Sequence, residues 1–424
     1  MTYQIILGDC LEKIKYFPDA SIDAVITDPP YGLSEHSDKD IMKCLTAWIA
    51  GETYNHQKSG FMGNDWDNFP PGPIIWKECL RVLKPGGHLL CFGGTRCMDI
   101  LSMAIRLAGF ELRDAIGHLS MISWVYGSGM PKGINISNKI FTETNNEQLQ
   151  MQWDGWNTTL KPAYEPILMC RKPFDGPLYR NVINHGVGGI NINGCRTTVD
   201  GLRSWRVPSQ FQPKRNTFGD GLGCGIKADP IDQGRWPTNL IIESHQMILD
   251  LFPDSQGQSG SVNESENSKT KNSFREMKRS GFPKRLESNK SSARFFSQYQ
   301  RDPDDLLVYQ SKVSPTDRHE GFENVGNQFN SGTTLRDVEN LYKSGEAKGN
   351  THPTVKPVNL MRHLCKLVTP TGGVILDPFM GSGSTLKAAI LEGFNSIGIE
   401  RDASYLDIAK QRLIHAQFQK NNQK

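Results

Sequence analysis

Two apolar runs near opposite ends of the chain each stop at an Asp-Pro pair, and nothing else in the sequence constrains the fold as much. Asp23-Ala24-Val25-Ile26-Thr27 stops at Asp28-Pro29-Pro30-Tyr31-Gly32, and Val374-Ile375-Leu376 runs into Asp377-Pro378. Proline donates no ladder hydrogen bond, so a central strand that meets one must end there. Segments of helical period surround both runs. After Ile5-Ile6-Leu7 and the Gly8-Asp9 break, Leu11, Ile14 and Phe17 share one face. Residues 74–83 and 95–108 show the same period, separated by a Lys84-Pro85-Gly86-Gly87 turn and an apolar run over 88–92. Near the end, 358–368, 384–392 and 403–416 are expected helices, and 396–400 is an expected strand. Such alternation predicts an α/β fold, with a parallel or mostly parallel sheet, helices on both faces and right-handed crossovers.

Between about 176 and 345 the alternation dissolves. Glycines cluster at 186–194 and 219–225, and residues 269–294 hold nine Lys and Arg against two Asp and Glu. That stretch reads either as a solvated loop or as an arm that contacts phosphates. The 424 residues thus divide into an ordered half over 1–175, a large irregular insert over 176–345 and a second ordered half over 346–424. With 41 glycines, 24 prolines and a hydrophobic fraction of 37%, much of the chain is expected to be loop. No segment approaches the roughly 18 apolar residues of a membrane span. Met1-Thr2-Tyr3-Gln4 lacks the basic head and apolar stretch of an export signal. Nine cysteines without a C-x-x-C pair fit reduced thiols in a cytoplasm, and argue against a zinc site or a disulfide framework. A net charge of +3 is modest for a nucleic-acid binder, so any such binding must rest on a local basic surface.

The two Asp-Pro motifs carry the chemistry. In an open α/β sheet, ligands sit beyond the carboxyl ends of the strands. At the first motif, Pro29 and Pro30 remove amide donors and leave carbonyl oxygens facing that crevice. Asp28 adds a carboxylate acceptor and Tyr31 a flat aromatic face. Acceptors beside a stacking platform suit a planar substrate with an exocyclic amino group. At the second motif, Asp377-Pro378-Phe379-Met380-Gly381-Ser382-Gly383-Ser384 leads from strand to helix. Gly381 and Gly383 let the backbone approach a ligand closely, and the helix start beyond them favours an anionic group. The spacing is not G-x-G-x-x-G, which disfavours a dinucleotide. Glu400 ends the next strand, where an acidic side chain can accept from two ribose hydroxyls.

Together these residues resemble the amino-group DNA methyltransferases that use S-adenosylmethionine. Asp28-Pro29-Pro30-Tyr31 looks like that family's catalytic tetrapeptide and Asp377 to Gly383 like its cofactor loop. His352-Pro353-Thr354-Val355-Lys356-Pro357 resembles the segment before that loop. Trp153-Asp154-Gly155-Trp156, Lys161-Pro162-Ala163-Tyr164-Glu165-Pro166 and Gly234-Arg235-Trp236-Pro237-Thr238-Asn239 also resemble stretches of relatives. Catalytic motif first, long variable region next and cofactor loop last is similar to the beta-class order, whose insert is the target-recognition region. The resemblance implies a Rossmann-like methyltransferase sheet and methyl transfer to an extruded base of double-stranded DNA. Asp28 and the Pro29 carbonyl would accept the N–H groups of that base, Pro30 would shape the turn and Tyr31 would stack on the ring. Asp377, Phe379, Gly381 and Gly383 would line the methionine half of the cofactor and Glu400 would hold its ribose. The resemblance also brings His352, Thr354 and Lys356 toward the methionine carboxylate. Asp9 resembles a position near the adenine, and reads equally as a helix N-cap. Asp in the first motif position favours the N6 of adenine. N4 of cytosine is the alternative, since enzymes of that kind more often carry Ser there. A restriction endonuclease partner, if one exists, would be a separate chain in a bacterial or phage-infected cell. The sequence leaves a homodimer open.

Other readings fare worse. A 5-methylcytosine enzyme needs a cysteine after proline; Glu323-Asn324-Val325 imitates one of its motifs, yet no Pro-Cys dipeptide occurs in the chain. Enzymes of RNA or protein glutamine methylation usually carry Asn where this chain has Asp28. A DNA-binding module without activity would have no use for Asp28 or the glycine loop.

Overall fold

A strand covered on both faces is apolar throughout, and all six residues of Ile22–Thr27 are buried. The structure, a computed structural model, describes residues 2–34, 36–58, 65–113, 121–127, 133–197, 203–208, 225–231, 234–244, 246–255, 290–299, 318, 320–322, 350, 352 and 354–422. They divide into two compact units. The first is Met1–Gly194 with Asn239–His245 and Tyr299–Lys424, and the second is Cys195–Thr238 with Gln246–Gln298.

The first unit is built on one sheet. Its strands are β1 (Tyr3–Leu7), β2 (Ile22–Thr27), β3 (Leu83–Phe92), β4 (Glu111–Leu112), β5 (Met121–Val125), β6 (Tyr164–Arg171), β7 (Leu240–Glu243), β8 (Val374–Asp377) and β9 (Asn395–Glu400). Their spatial order is β1-β9-β8-β2-β3-β6-β5-β7, with β4 beside β6. The first five in that order are parallel, and β6 runs antiparallel between β3 and β5. The expected sheet is therefore present, with an antiparallel extension that the sequence pattern did not reveal. The Lys84–Gly87 turn bulges inside β3, where the β2 register jumps from Ile22 opposite Leu83 to Ala24 opposite His88. Buried Asp23 ties the amino ends of β2 and β8 together: it accepts from Lys84 Nζ at 2.6 Å and from the Val374 amide at 2.7 Å.

Seven helices of the first unit matter here: α1 (Asp38–Ile49), α2 (Pro73–Val82), α3 (Met98–Leu107), α4 (Leu178–His185), α5 (Val358–Val368), α6 (Ser384–Glu392) and α7 (Ala403–Asn422). Trp76 of α2 and Leu101 of α3 join Ile14, Val25, Leu89 and Leu376 in one core. Successive strand residues point to opposite faces, so Ile26, Leu90 and Ile375, also fully buried, face the other side. There α5 touches β2 and β3, and α5, α6 and α7 pack in succession. Leu386 and Ile390 of α6 meet Ala409 and Leu413 of α7 in a second core. Helix α1 had no place in the sequence reading. A capping box starts it, with the Ser37 side chain accepting from the Asp40 amide and Asp40 answering the Ser37 amide.

Helix α4 and strand β7 fall inside the expected insert yet belong to the first unit. In the second unit, Arg203–Pro208 pairs antiparallel with Gly225–Ile231, and Asp254–Ser255 with Lys290–Ser291. Most of the basic stretch at 269–294, most of the glycine cluster at 219–225 and the tripeptide at 323–325 lie outside the described residues. Among the described residues, no helix is long and apolar enough to cross a membrane.

Candidate active site

Four neighbouring parallel strands end in acidic residues on the same edge of the sheet. Asp9 lies just past β1, Glu400 ends β9, Asp377 ends β8 and Asp28 lies just past β2. Register brings them together: Leu7 lies opposite Glu400, Asp377 opposite Gly398 and Leu376 opposite Val25. A cleft of about 380 Å³ opens over these ends. Asp9, Asp28, Pro29, Pro30, Tyr31, His352, Thr354, Lys356, Asp377, Phe379, Gly381 and Glu400 all line it. Gly383 does not. Its φ of +80° starts α6, and a Cβ there would meet Ala409 at 3.1 Å, so its freedom serves the packing of α6 on α7.

On the β2 side, the backbone after Asp28 is pinned by a residue the motifs did not point to. Asp67, itself buried, accepts from the amides of Tyr31 at 2.7 Å and Gly32 at 2.9 Å. The Tyr31 hydroxyl donates to Glu165 Oε2 at 3.3 Å, and Gly94 lets the ring lie close, since a Cβ there would come within 3.0 Å of it. Glu165 projects from β6, a strand otherwise apolar from Pro166 to Cys170. Lys356 lines the cleft with its ammonium turned to this side, where it donates to Asp28 Oδ2 and stands 3.7 Å from Glu165 Oε2. Asp28 Oδ1 is buried with no hydrogen-bond partner among the described residues, an unused acceptor on a residue that lines the cleft.

On the β8–β9 side, the glycine loop is held from behind. The Gly381 amide donates to Glu400 Oε2 at 2.8 Å, and the Asp402 amide to Glu400 Oε1 at 2.8 Å. Gly381 has φ +52°, and a Cβ on it would fall 2.6 Å from His352 Nε2. Only glycine fits both the conformation and that close approach. His352 lies between Trp66, stacked at 6.4 Å, and Tyr405, edge-on at 4.5 Å. Burial and the charges of Arg318 and Lys356 push its pKa down to about 3, so it is neutral at pH 7 and supplies no positive charge. It accepts from the Thr354 amide at Nδ1. Arg412 of α7, fully buried, donates to the Ser382 carbonyl at 2.7 Å and to the Ser384 hydroxyl at 3.2 Å, which fixes the turn into α6. Asp9 accepts from the amides of Leu11 and Glu12 at 2.9 and 3.3 Å. It is an N-cap and a cleft residue at once. Cys10 beside it is pushed up to about 12 by burial and the Asp9 charge, so no thiolate nucleophile is poised there.

Trp124 is core, beside Tyr126, and Trp153 pairs edge-on with exposed Trp156 away from the cleft lining. Asp67, Glu165, Trp66, Tyr405 and Arg412 were not anticipated. Only Glu165 left a mark: it lies in the Lys161–Pro166 stretch that resembles relatives, where no role attached to it.

Asp377 accepts from the Thr27 hydroxyl at 2.6 Å, the Phe379 amide at 3.1 Å and the Thr385 hydroxyl, yet burial outweighs all three bonds and raises its pKa to about 6. A carboxyl with a raised folded pKa holds its proton more tightly folded than unfolded, where the value is about 3.9. Its contribution to stability therefore falls as pH rises from about 4 to about 6 and stays lost above. Asp377→Asn keeps an oxygen for the Thr27 and Phe379 donors, leaves the rotatable Thr385 hydroxyl free to turn its oxygen to the new NH2, and carries no charge. Relative to the parent it is expected to gain stability at about pH 8 and little at about pH 4.5. Denaturant midpoints at the two pH values check this; an equal difference at both places the pH dependence elsewhere.

The chain is similar to known proteins. Residues 22–411 match the N6_N4_Mtase family, described as DNA methylase. The type II methyltransferase M.HindIII of Haemophilus influenzae is 26% identical over 272 residues, which cover 58% of this chain and 83% of that protein. Among solved structures, the PvuII DNA methyltransferase, described as cytosine-N4-specific, aligns over 100% of this chain and 94% of its own, with 13% identity and a TM-score of 0.41. The M1.HpyAVI–SAM complex aligns over 97% and 100%, with 15% identity and a TM-score of 0.35.

Proposed function

The chain belongs to the N6/N4 family of DNA methylases, and from that membership we propose that it methylates the exocyclic N6 of adenine in double-stranded DNA with S-adenosylmethionine as donor. The observation that carries the reading is the single cleft shared by Asp28 and the Gly381 loop, contributed by opposite ends of the chain. The donor fits the residues present. Gly381 offers a backbone surface that a side chain would block, Glu400 offers a carboxylate at a strand end, and Phe379 and Tyr405 supply flat apolar walls. Asp377, Phe379, Gly381, Glu400 and Asp9 would hold it, with His352 and Thr354 at the rim. Bound there, it supplies an electrophilic methyl group on a sulfonium.

The chain's own task is to make an amide-like nitrogen nucleophilic. That nitrogen's lone pair is delocalised into the base. Asp28 and the Pro29 carbonyl accept its two N–H groups, which draws it toward a tetrahedral shape and localises the pair. The cluster of acceptors also stabilises positive charge as it develops on nitrogen. Tyr31, held by Asp67 and Glu165, stacks on the extruded base and offsets part of the few kcal/mol that unstacking costs. Alignment of two bound reactants at about 3–3.5 Å supplies most of the rate, with no covalent enzyme intermediate. Asp at position 28 supports adenine over cytosine.

The test is to express the chain in cells and sequence their DNA with detection of modified bases. N6-methyladenine at one short motif is the expected result. N4-methylcytosine instead would overturn the adenine assignment alone, and unmodified DNA would overturn the function.

A further inference from the structure

The amino-group pocket already contains a cation of the protein's own. Lys356 is 4% exposed, and a lysine that far from water requires partners. Its ammonium has four. It donates to Asp28 Oδ2, lies 3.7 Å from Glu165 Oε2, and stands over the rings of Tyr31 and Phe92 at 5.3 and 5.0 Å from their centroids. Two carboxylates and two aromatic faces are what a tetrahedral, positively charged nitrogen needs. The target nitrogen acquires that shape and charge as it takes the methyl group. The pocket that satisfies Lys356 is therefore shaped for the same charge on the substrate.

Resting on the reading above, we propose that Lys356 is a positioning residue that occupies the place of the target amino group on Asp28, and that Glu165 receives it when the base arrives. Lysine is a point charge on a flexible four-carbon stem with three rotatable donors. A move toward Glu165 frees Asp28 Oδ2 without leaving the ammonium unpaired. Glu165 is 2% exposed and anchored by the Tyr31 hydroxyl at 3.3 Å, so it is a fixed destination. The same lysine then balances Glu165 while Asp28 serves the substrate.

A double-mutant cycle separates this from a structural role. Lys356→Met leaves the carboxylates of Asp28 and Glu165 without the cation they share, and their mutual repulsion shifts Asp28 from its place. Glu165→Gln leaves Lys356 only Asp28, so the base must compete for it. Each change is expected to lower the single-turnover rate of methyl transfer by about tenfold, and the double variant to return within about threefold of the parent. Losses that simply multiply, to about a hundredfold, overturn the proposal. A second readout needs no cofactor: with 2-aminopurine placed beside the target adenine, its fluorescence, which brightens when that adenine leaves the stack, is expected to rise in Lys356→Met and fall in Glu165→Gln. A fall in both means the lysine only supports the fold. Lys356→Gln, of similar length, is expected to repeat the methionine pattern. No methyl transfer to DNA by the parent chain overturns this inference together with the function; transfer by the parent with multiplicative losses overturns this inference alone.

Discussion

Asp28→Ala is expected to take methyl transfer below detection, a loss of at least about 10³-fold, while S-adenosylmethionine binds within a few fold of the parent. Two functions of the carboxylate vanish together. One is the acceptor pair, Oδ2 that Lys356 holds and Oδ1 that has no partner among the described residues; the other is the fixed negative charge beside the reacting nitrogen. Cofactor affinity survives because the contacts around Gly381 belong to a separate set. The amides of Gly381 and Asp402 answer to Glu400, and the turn into α6 answers to Arg412. Lys356 keeps Glu165 as a partner at 3.7 Å, so the variant does not strand a buried charge. Single-turnover transfer of tritiated methyl groups and calorimetric titration of the cofactor make the comparison. Retained transfer removes Asp28 from its role. Lost cofactor binding means that the two sides of the cleft are one structural unit, and the assignment must be redrawn.

Much of this arrangement is legible in the sequence, for identifiable reasons. Parallel strands buried on both faces are continuous apolar runs, and Pro29, Pro378 and the glycines after β8 mark where they stop. Helices α5 and α6 fall at 358–368 and 384–392, where the apolar period put them. Three kinds of feature escaped. Helix α1 begins at a capping box, Ser37 with Asp40, whose partner residue is Asp rather than the more familiar Glu or Gln. The antiparallel strands β5 and β6 are joined through two short helices, Ile136–Thr144 and Glu147–Gln152, so their strand–helix alternation imitates that of a parallel pair and hides the reversal. Contacts across long sequence separation left no local sign at all. Nothing near Lys356 tells whether its ammonium turns to a ligand carboxylate or to Asp28, and nothing near Arg412 tells that it braces Ser382. In each case the partner is chosen by which strand ends lie side by side, a property of sheet order rather than of neighbouring residues.

Glu400→Ala should show the converse of Asp28→Ala: cofactor affinity falls by about 10²-fold, near 3 kcal/mol, and transfer at saturating cofactor drops far less. Both oxygens of Glu400 already accept backbone amides, from Gly381 and Asp402, at 2.8 Å each. Each oxygen has a further lone pair for a ribose hydroxyl. Alanine therefore removes the proposed ribose contact and also unties the glycine loop from the end of β9. The second effect is separable. Glu400→Gln keeps one acceptor for one amide and turns an NH2 toward the other, so it is expected to fall between parent and alanine. Burial raises the Glu400 pKa, so its carboxyl takes up a proton at a higher pH than an exposed one would. Protonation replaces a lone pair with a donor, so cofactor binding should weaken as pH falls through that raised value. In Glu400→Gln that limb should vanish and only the titration of Asp377 near pH 6 remain. Calorimetric titration of S-adenosylmethionine across pH measures all three chains. An alanine variant that binds within twofold of the parent sinks the assignment, and an equally steep acid limb in Glu400→Gln moves the titrating group elsewhere.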